Sequence, residues 1–179
     1  TFAQAMEKGL VTYIPDSVWQ DYYVRISREA IYPENVKKAA LKVVYSPLCG
    51  AGGEPVSEML TRLGAELHIP ESQRMPSGDF ATCPTPNPET DSAFDENYKL
   101  AAEVKPDIIL ATDPDSDRIA AAIPVEGGFR KFSGNEMGCL LLDYILRNLK
   151  KNGKLPEKPV AVKSIVSTPL ADRIAAALG

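Results

Sequence analysis

A strand, a glycine-rich turn, a helix and a second strand follow one another within residues 41–69, and this order constrains the fold more than any other feature of the sequence. Residues 41–45 are almost wholly apolar and lead directly into the turn Gly50–Gly53. The helical spacing that follows ends at Gly64, and a short apolar segment at 66–69 completes a β-α-β unit. Because a helical crossover joins parallel strands, the sequence predicts an α/β fold.

Regular spacing of apolar residues elsewhere in the chain extends this pattern. The spacing predicts further helices at residues 16–27, 33–40, 91–104, 133–151 and 169–178. Apolar runs predict further strands at residues 107–111, 119–125 and 160–166. Since strands alternate with helices, we expect a three-layer α/β/α sandwich built on a mostly parallel mixed sheet.

Short polar motifs mark where several of these elements begin and end. Asp16 is expected to cap the first helix, and Ser133 with Glu136 matches the Ser-x-x-Glu capping box. The segment Glu126–Phe129 is typical of a hairpin turn. The proline-rich residues 70–92 cannot sustain a helix and predict a long surface loop.

The composition narrows the possible functions. With 179 residues, 44% of them hydrophobic, the chain can build one ordinary core. A net charge of −4 without a dense Lys/Arg run argues against a nucleic acid partner. The apolar runs stay below the ~18 residues that a membrane span requires, and no basic-then-apolar leader opens the chain. Three widely spaced cysteines suggest neither a disulfide framework nor a metal knuckle, so we expect a cytoplasmic protein without a membrane partner.

Three aspartates, Asp113, Asp115 and Asp117, alternate directly after the predicted strand at 107–111. In extended backbone their carboxylates would share one side, and three such charges favour a hard divalent cation. Magnesium is favoured over zinc because the only histidine, His68, has no Cys or acidic partner at metal-ligand spacing. The planar fork of donors on Arg118 suits a phosphoryl oxygen, so the segment indicates phosphate chemistry.

Other interpretations of these aspartates fit less well. A solvated acidic turn is common, but a buried strand here delivers the acids to the sheet edge where α/β folds bind ligands. A calcium loop would need Gly at its sixth and Glu at its twelfth position, where this chain has Arg118 and Pro124. A phosphatase of the haloacid-dehalogenase type would use Asp113 as nucleophile with Asp115, but Asp117 stands where that family expects Thr or Val.

Taken with its neighbours, the aspartate segment resembles the α-D-phosphohexomutases, the phosphoglucomutase and phosphomannomutase family. Asp113–Arg118 resembles the Asp-x-Asp-x-Asp-Arg signature of that family's second domain. Four further segments agree in the same order along the chain: Pro47–Gly53, Pro86–Glu89, Ser133–Glu136 and Val160–Gly179, the last resembling the opening of the third domain.

This resemblance implies a mechanism and a set of site residues. Phosphoryl would pass reversibly between a serine and O1 and O6 of a hexose, through a bisphosphorylated intermediate, in an isomerase-class phosphotransferase of carbohydrate metabolism. Asp113, Asp115 and Asp117 would hold Mg²⁺, with a phosphoserine as the remaining ligand, and Arg118 would contact phosphate oxygens. Hexose phosphate would be the substrate.

The family's serine loop, Thr-Ala-Ser-His-Asn-Pro, occurs nowhere in the sequence, so the nucleophile is absent from this chain. The sugar-recognition loop of the third domain and the phosphate clamp of the fourth are absent as well. We therefore expect this polypeptide to be inactive alone and to depend on domains I, III and IV of the same protein.

The resemblance also suggests domain boundaries. Residues 1–32 would be a helical lead-in from the first domain, 33–151 the second domain with its metal loop, 152–158 a linker and 159–179 the start of the third. A chain without an initial Met that stops after a helix-like run is expected to be an excised piece. The rival hypothesis is a complete small module that binds a metal or a phosphosugar.

The remaining motifs have structural interpretations that are at least as good. The turn Gly50–Gly53 lacks the Gly-Lys-Ser/Thr of a P-loop and favours tight packing between strand and helix. A capping box explains Ser133 and Glu136, and a turn explains Pro86–Glu89. Ser167-Thr168 either contacts ligand or only caps the following helix.

Overall fold

The computed structural model describes residues 1–178, so Gly179, the last residue of the expected third-domain segment, lies outside it. Contacts divide the chain into two compact units, one comprising Thr1–Pro33 and the other beginning at Glu34. The helices are α1 (Phe2–Glu7), α2 (Asp16–Ser27), α3 (Pro33–Ala39), α4 (Gly53–Arg62), α5 (Glu71–Arg74), α6 (Asp95–Val104), α7 (Gly134–Lys151) and α8 (Leu170–Leu178). The strands are β1 (Lys42–Ser46), β2 (Glu66–His68), β3 (Ile108–Thr112), β4 (Ile119–Val125) and β5 (Gly128–Lys131).

The first unit consists mainly of α1 and α2. Helix α2 has the predicted span, but Asp16 is its first helical residue and Pro15 occupies the N-cap position without a side-chain hydrogen bond. The prediction that Asp16 caps the helix was therefore wrong. Its carboxylate instead lies in the first turn, where the helix dipole favours a negative charge. Trp19 and Tyr23 stack with their ring centroids 5.9 Å apart.

The second unit contains a five-stranded sheet in the order β2-β1-β3-β4-β5. Strand β1 pairs in parallel with β2, as the β-α-β pattern predicts, and it also pairs in parallel with β3. The pairings of β3 with β4 and of β4 with β5 are antiparallel, and the predicted turn at Glu126–Phe129 joins the last two strands. The predicted α/β class with a mixed sheet is confirmed.

Both faces of the sheet centre are buried. The side chains of Val43 and Tyr45 lie on the face opposite Val44, and all three are at most 2% exposed. The 3₁₀ turn Ser92–Phe94 and α6 cover the face that carries Val44. Burial of the Phe94 ring there stabilises the fold by roughly 1.5–3 kcal/mol. The strand residues buried with them are Val44, Ile109, Ala111, Ala120 and Ala122. Helices α4 and α7 contact β2 and β4, respectively.

Helix α7 begins where the capping box predicts. The Ser133 side chain accepts from the backbone N–H of Glu136, and the Glu136 carboxylate accepts from the backbone N–H of Ser133. None of the helices formed by residues 1–178 is both long enough and apolar enough to cross a membrane.

Two predicted elements differ from the structure. The loop at 70–92 contains the short helix α5, in which an ion pair between Glu71 and Arg74 joins residues one turn apart. The apolar segment 160–166 was predicted as a strand but forms no sheet pairing within residues 1–178, and Val162 and Ile165 are more than 90% exposed. That prediction was wrong because a strand needs hydrogen bonds from a neighbouring strand, whatever its apolar content.

Candidate metal centre

The aspartate segment is the connection between two antiparallel strands. Strand β3 ends at Thr112 and β4 begins at Ile119, and the backbone N–H of Asp113 donates to the carbonyl of Arg118 at 3.3 Å. Within the connection, the N–H of Ser116 donates to the Asp113 carbonyl at 3.0 Å, and Ser116 itself has a positive φ of 62°. The segment is thus a tight turn at the carboxyl end of a buried strand, which is where the sequence predicts it.

The turn brings the three carboxylates together. One oxygen from each of Asp113, Asp115 and Asp117 can be chosen so that all three lie within 4.8 Å of one another. This convergence is predicted from the sequence, but on the assumption that the three aspartates lie in extended backbone, where alternate side chains share one side. The structure achieves it through the turn, since the left-handed conformation of Ser116 reverses the chain between Asp115 and Asp117.

Asp113 is the buried member of the cluster, with only 1% of its surface exposed. Burial opposes ionisation, but Arg118 outweighs it and lowers the pKa of the Asp113 carboxyl. The backbone N–H of Arg118 donates to Oδ1 at 3.0 Å, and its Nε donates to Oδ2 at 2.7 Å. The Asp113 carboxylate is therefore charged and fixed in orientation.

Asp115 and Asp117 are exposed, and Asp117 forms a long ion pair with Arg118. A hydrogen bond to Asp113 and repulsion from Asp115 and Asp113 raise the pKa of Asp117. Nε of Arg118 lies 3.6 Å from Asp117 Oδ1, too far for a strong hydrogen bond. Converging carboxylates that repel one another are the oxygen donors that a hard divalent cation requires, so these residues fit such an ion.

Arg118 combines a fixed part with a free part. Its Nε is held by Asp113, whereas the structure of residues 1–178 gives its two Nη groups no hydrogen bond. The side chain is 48% exposed and lines a cleft. The guanidinium can therefore donate to an anion in the cleft while it keeps its bond to Asp113.

The cleft beside Arg118 has a volume of about 710 Å³. Its wall joins segments that are distant in the sequence: Pro88 and Glu89, Arg118 to Ala120, Lys131 to Glu136, and Val166 with Ser167. Three of the motifs that carry the family resemblance thus share one wall with Arg118. Sequence reasoning explained two of them by helix capping and turn formation, because their spatial neighbours are not visible in the sequence.

Sequence reasoning missed Lys131 and Asn135 of this wall. Lys131 Nζ donates to the Glu89 carbonyl at 2.7 Å and pairs with Asp91 at 2.8 Å, which ties the Pro86–Glu89 turn to β5. Asn135 Oδ1 accepts from the backbone N–H of Thr168 at 2.9 Å. The only signal in the sequence was the place of Asn135 inside the Ser-Gly-Asn-Glu motif.

The glycine-rich turn also lies against the aspartate turn. The N–H of Ala51 donates to the Pro114 carbonyl at 2.8 Å, and a side chain at Gly50 would come within 2.3 Å of Pro114 Cα. The sequence alone favours the interpretation that Gly50–Gly53 permit tight packing between strand and helix. The structure shows that Gly50 instead permits the close approach of two turns.

The other candidate residues lie apart from the carboxylate cluster or serve local structure. His68 pairs with the neighbouring Glu66, and the three cysteines are free thiols. Ser167 lines the cleft, whereas the Thr168 side chain accepts from the backbone N–H of Leu170 at the start of α8. Thr168 therefore has the predicted capping role, whereas ligand contact by Ser167 stays a prediction.

The chain is similar in sequence to known proteins. The sequence model described as "Phosphoglucomutase/phosphomannomutase, alpha/beta/alpha domain II" matches residues 20–127. The phosphomannomutase of Mycoplasmoides pirum is 34% identical over 172 residues, covering 95% of this chain and 31% of its own. A phosphoglucomutase of Staphylococcus epidermidis is 31% identical over 171 residues, covering 94% of this chain and 30% of its own. The chain thus spans about a third of the length of these curated relatives.

Two solved structures share the fold. The putative phosphomannomutase of Thermus Thermophilus superposes with a TM-score of 0.62 at 22% identity, covering 90% of this chain and 34% of that one. A phosphoglucomutase/phosphomannomutase family protein of Burkholderia thailandensis gives a TM-score of 0.53 at 20% identity, covering 63% of this chain and 22% of that one.

Proposed function

This chain belongs to the phosphoglucomutase/phosphomannomutase family, and we propose that it supplies the metal-binding part of an enzyme that interconverts hexose 1-phosphate and hexose 6-phosphate. The observation that carries the proposal is the convergence of Asp113, Asp115 and Asp117 at the end of β3, beside Arg118 and an open cleft. The names of the relatives, phosphomannomutase and phosphoglucomutase, agree with it.

In this proposal the three aspartates hold Mg²⁺. Asp113 is already ionised and oriented by Arg118, whereas Asp115 and Asp117 are exposed and can adjust to the ion. A bound divalent cation would neutralise charge on the transferring phosphoryl group. Because the pKa of Asp117 is raised, a proton competes with the cation for this carboxylate at a higher pH than it would at an ordinary aspartate.

Arg118 is proposed to contact a phosphate oxygen through its free Nη groups. Its bond to Asp113 would then couple the orientation of the phosphate to that of a metal ligand. Ser133, Asn135 and Ser167 place hydroxyl and amide groups on the same cleft wall, where they can meet the hydroxyls of a sugar.

The phosphoserine of the proposed mechanism would come from a part of the enzyme that this chain does not contain. The chain spans only about a third of the length of its relatives, which supports this division. We propose that the intact enzyme is an intramolecular phosphotransferase of the cytoplasm, a setting that suits three free cysteines. The boundaries at residues 32, 151 and 158 remain part of the proposal.

The alternative of a phosphatase with Asp113 as nucleophile is disfavoured by the surroundings of that residue. Asp113 is almost fully buried, and both of its carboxylate oxygens accept hydrogen bonds from Arg118. Attack on phosphorus needs a carboxylate oxygen with open space for a phosphoryl group, which a side chain 1% exposed does not offer, whereas a metal ion needs only one remaining lone pair.

A chimera tests the proposal directly. The segment of the Mycoplasmoides pirum phosphomannomutase that aligns with this chain is replaced by the present sequence, and mutase activity is measured with mannose 1-phosphate and glucose 1-phosphate. We expect the chimera to be active. Changing Asp113, Asp115 or Asp117 to Asn should each lower kcat/KM by about 100-fold, since a metal ligand stabilises transition-state charge by several kcal/mol.

The matched control is Asp143→Asn, which removes a carboxylate of α7 that pairs with Arg147 away from the cleft. It should leave the rate unchanged. An active chimera whose Asp113→Asn variant keeps full activity would contradict the proposal.

The isolated chain tests the division of the active site. Purified residues 1–179 should bind Mn²⁺ but should not convert hexose 1-phosphates in a coupled assay. Robust turnover by this polypeptide would contradict the need for a phosphoserine from elsewhere. Release of inorganic phosphate that Asp113→Asn abolishes would favour the phosphatase.

A further inference from the structure

The glycine-rich turn and the aspartate turn meet without intervening side chains. A Cβ at Gly50 would lie 2.3 Å from Pro114 Cα and 2.6 Å from the Pro114 carbonyl oxygen, so only glycine fits there. The hydrogen bond from Ala51 N–H to the same carbonyl fixes the distance between the two turns. The backbone next to Asp113 and Asp115 is thus held from outside the hairpin.

Gly52 makes a second contact of a different kind. A Cβ at this position would lie 2.5 Å from Ser116 Oγ, 2.6 Å from the Tyr45 hydroxyl and 2.9 Å from Thr112 Oγ1. Three hydroxyl groups from β1, the end of β3 and the aspartate turn therefore converge on the space that the missing side chain leaves. We call Tyr45, Thr112 and Ser116 the hydroxyl cluster.

Two members of the hydroxyl cluster are joined and buried. The Tyr45 hydroxyl and Thr112 Oγ1 lie 2.9 Å apart, and these residues are 0% and 4% exposed. Thr112 immediately precedes Asp113, and Ser116 separates Asp115 from Asp117. The cluster therefore contacts the acidic segment at its start and again between its two exposed carboxylates.

We infer that Gly52 and Tyr45 are positioning residues for the carboxylate cluster and set the spacing at which Asp113, Asp115 and Asp117 receive a cation. The inference rests on the proposed metal site, and it adds a structural reason for the spacing of the three carboxylates. Arg118 donates two hydrogen bonds to Asp113 and lies 3.6 Å from Asp117, so one cation faces three carboxylates, and the repulsion left among them tends to open the turn. Contacts with the glycine-rich turn oppose that opening before any cation is bound, as preorganisation requires.

The variant Gly52→Ala tests the inference in the purified chain, with Mn²⁺ as the probe and electron paramagnetic resonance of free Mn²⁺ as the readout. The added methyl would crowd all three hydroxyl groups beside the aspartate turn, so the affinity for Mn²⁺ should fall by about tenfold, in the range of residues that orient metal ligands. Gly78→Ala is the matched control, because a Cβ at Gly78 meets nothing within 4 Å. It should bind Mn²⁺ as the unchanged chain does.

Tyr45→Phe provides a second test that keeps the core intact. Alone, it should weaken Mn²⁺ binding by about threefold, through loss of the hydrogen bond to Thr112. In the Gly52→Ala background, it removes one of the crowded atoms and should restore part of the lost affinity. A Gly52→Ala chain that binds Mn²⁺ normally would overturn the inference. If Gly52→Ala fails to fold, an unchanged affinity in Tyr45→Phe would overturn it.

Failure of the proposed metal site would be seen separately, as absence of Mn²⁺ binding by the unchanged chain. The positioning role is then decided by the NMR resonance of the Arg118 backbone amide, which donates to Asp113 Oδ1 and reports the shape of the turn without metal. Gly52→Ala should shift this resonance and Gly78→Ala should not. Equal spectra at Arg118 would overturn the inference.

Discussion

Asp113 and Asp117 have the same side chain but opposite surroundings. Asp113 is 1% exposed and accepts two hydrogen bonds from Arg118, whereas the side chain of Asp117 is 74% exposed. The pKa of Asp113 is lowered and that of Asp117 is raised. Asp113 therefore stabilises the turn through its hydrogen bonds with Arg118. Asp117 is held in the turn despite repulsion from the neighbouring carboxylates.

This difference predicts opposite effects of two isosteric changes on the metal-free chain. Asp113→Asn should lower the free energy of unfolding by about 2 kcal/mol, because the buried Asp113 carboxylate is the charged acceptor of two hydrogen bonds from Arg118. Asp117→Asn should leave the urea midpoint unchanged or raise it slightly. Urea denaturation followed by circular dichroism measures both, and equal losses from the two variants would contradict the assignment.

Tyr45 predicts a specific alkaline transition. Burial outweighs the hydrogen bond with Thr112 and raises the pKa of Tyr45 to about 12, above its ordinary value of 10.0. Because the folded pKa is the higher one, Tyr45 contributes stability that is fully present below pH 10.0 and is lost as the pH rises towards about 12. In Tyr45→Phe, the fall in the urea midpoint between about pH 9 and about pH 11 should be smaller. An equal fall would contradict the prediction.

At the scale of elements, the helix ends depend on glycines in different surroundings. Gly64 follows the end of α4 with a φ of +85°, and Gly153 follows the end of α7 with a φ of +65°. Both suit the left-handed conformation that closes a helix. Only Gly64 is crowded, since a Cβ there would lie 2.9 Å from Lys37 Cβ.

A comparison of Gly64→Ala with Gly153→Ala measures the stability lost when a side chain at Gly64 crowds α3. Each glycine-to-alanine change should destabilise the chain by about 1 kcal/mol through the left-handed backbone alone. Gly64→Ala should lose about 1 kcal/mol more, because the methyl group must displace Lys37. The difference between the two shifts in urea midpoint measures the cost of displacing Lys37. Equal losses of stability in the two variants would show that α3 moves aside without measurable cost.

At the scale of the whole molecule, the central strands and the segment 160–166 differ in how many of their backbone groups form hydrogen bonds. Strand β3 is paired on both sides, with β1 and with β4. Among residues 1–178, the amides of 160–166 find no backbone acceptor, and the side chain of Val160 is 84% exposed. The sheet and this segment should therefore differ greatly in stability.

Hydrogen exchange checks this difference. The amides of β3 should exchange only when the second unit unfolds, whereas those of residues 160–166 should exchange at nearly the rate of an unstructured peptide. Mass spectrometry of peptic fragments resolves the two regions. Protection of 160–166 in the monomeric chain would contradict the structure described for this segment.

The sequence alone determined the local features of this protein. A buried apolar strand delivers Asp113 to a sheet edge, a β-α-β pattern places β1 beside β2, and Ser133 with Glu136 fixes the start of α7. These features depend on residues close together in the chain, whose spacing and chemistry are visible in the sequence. The carboxylate cluster was predictable for the same reason, since its members lie within five residues.

Only the tertiary structure decided which distant segments meet. It placed Gly52 against the hydroxyl cluster, brought Lys131 to Glu89 on the cleft wall, and left residues 160–166 without a strand partner. The apolar pattern of 160–166 fitted a strand, but pairing depends on a hydrogen-bonding neighbour that the pattern does not contain. Contacts between distant residues follow from the register of the sheet and the approach of two turns, and these are properties of the folded chain rather than of any one segment.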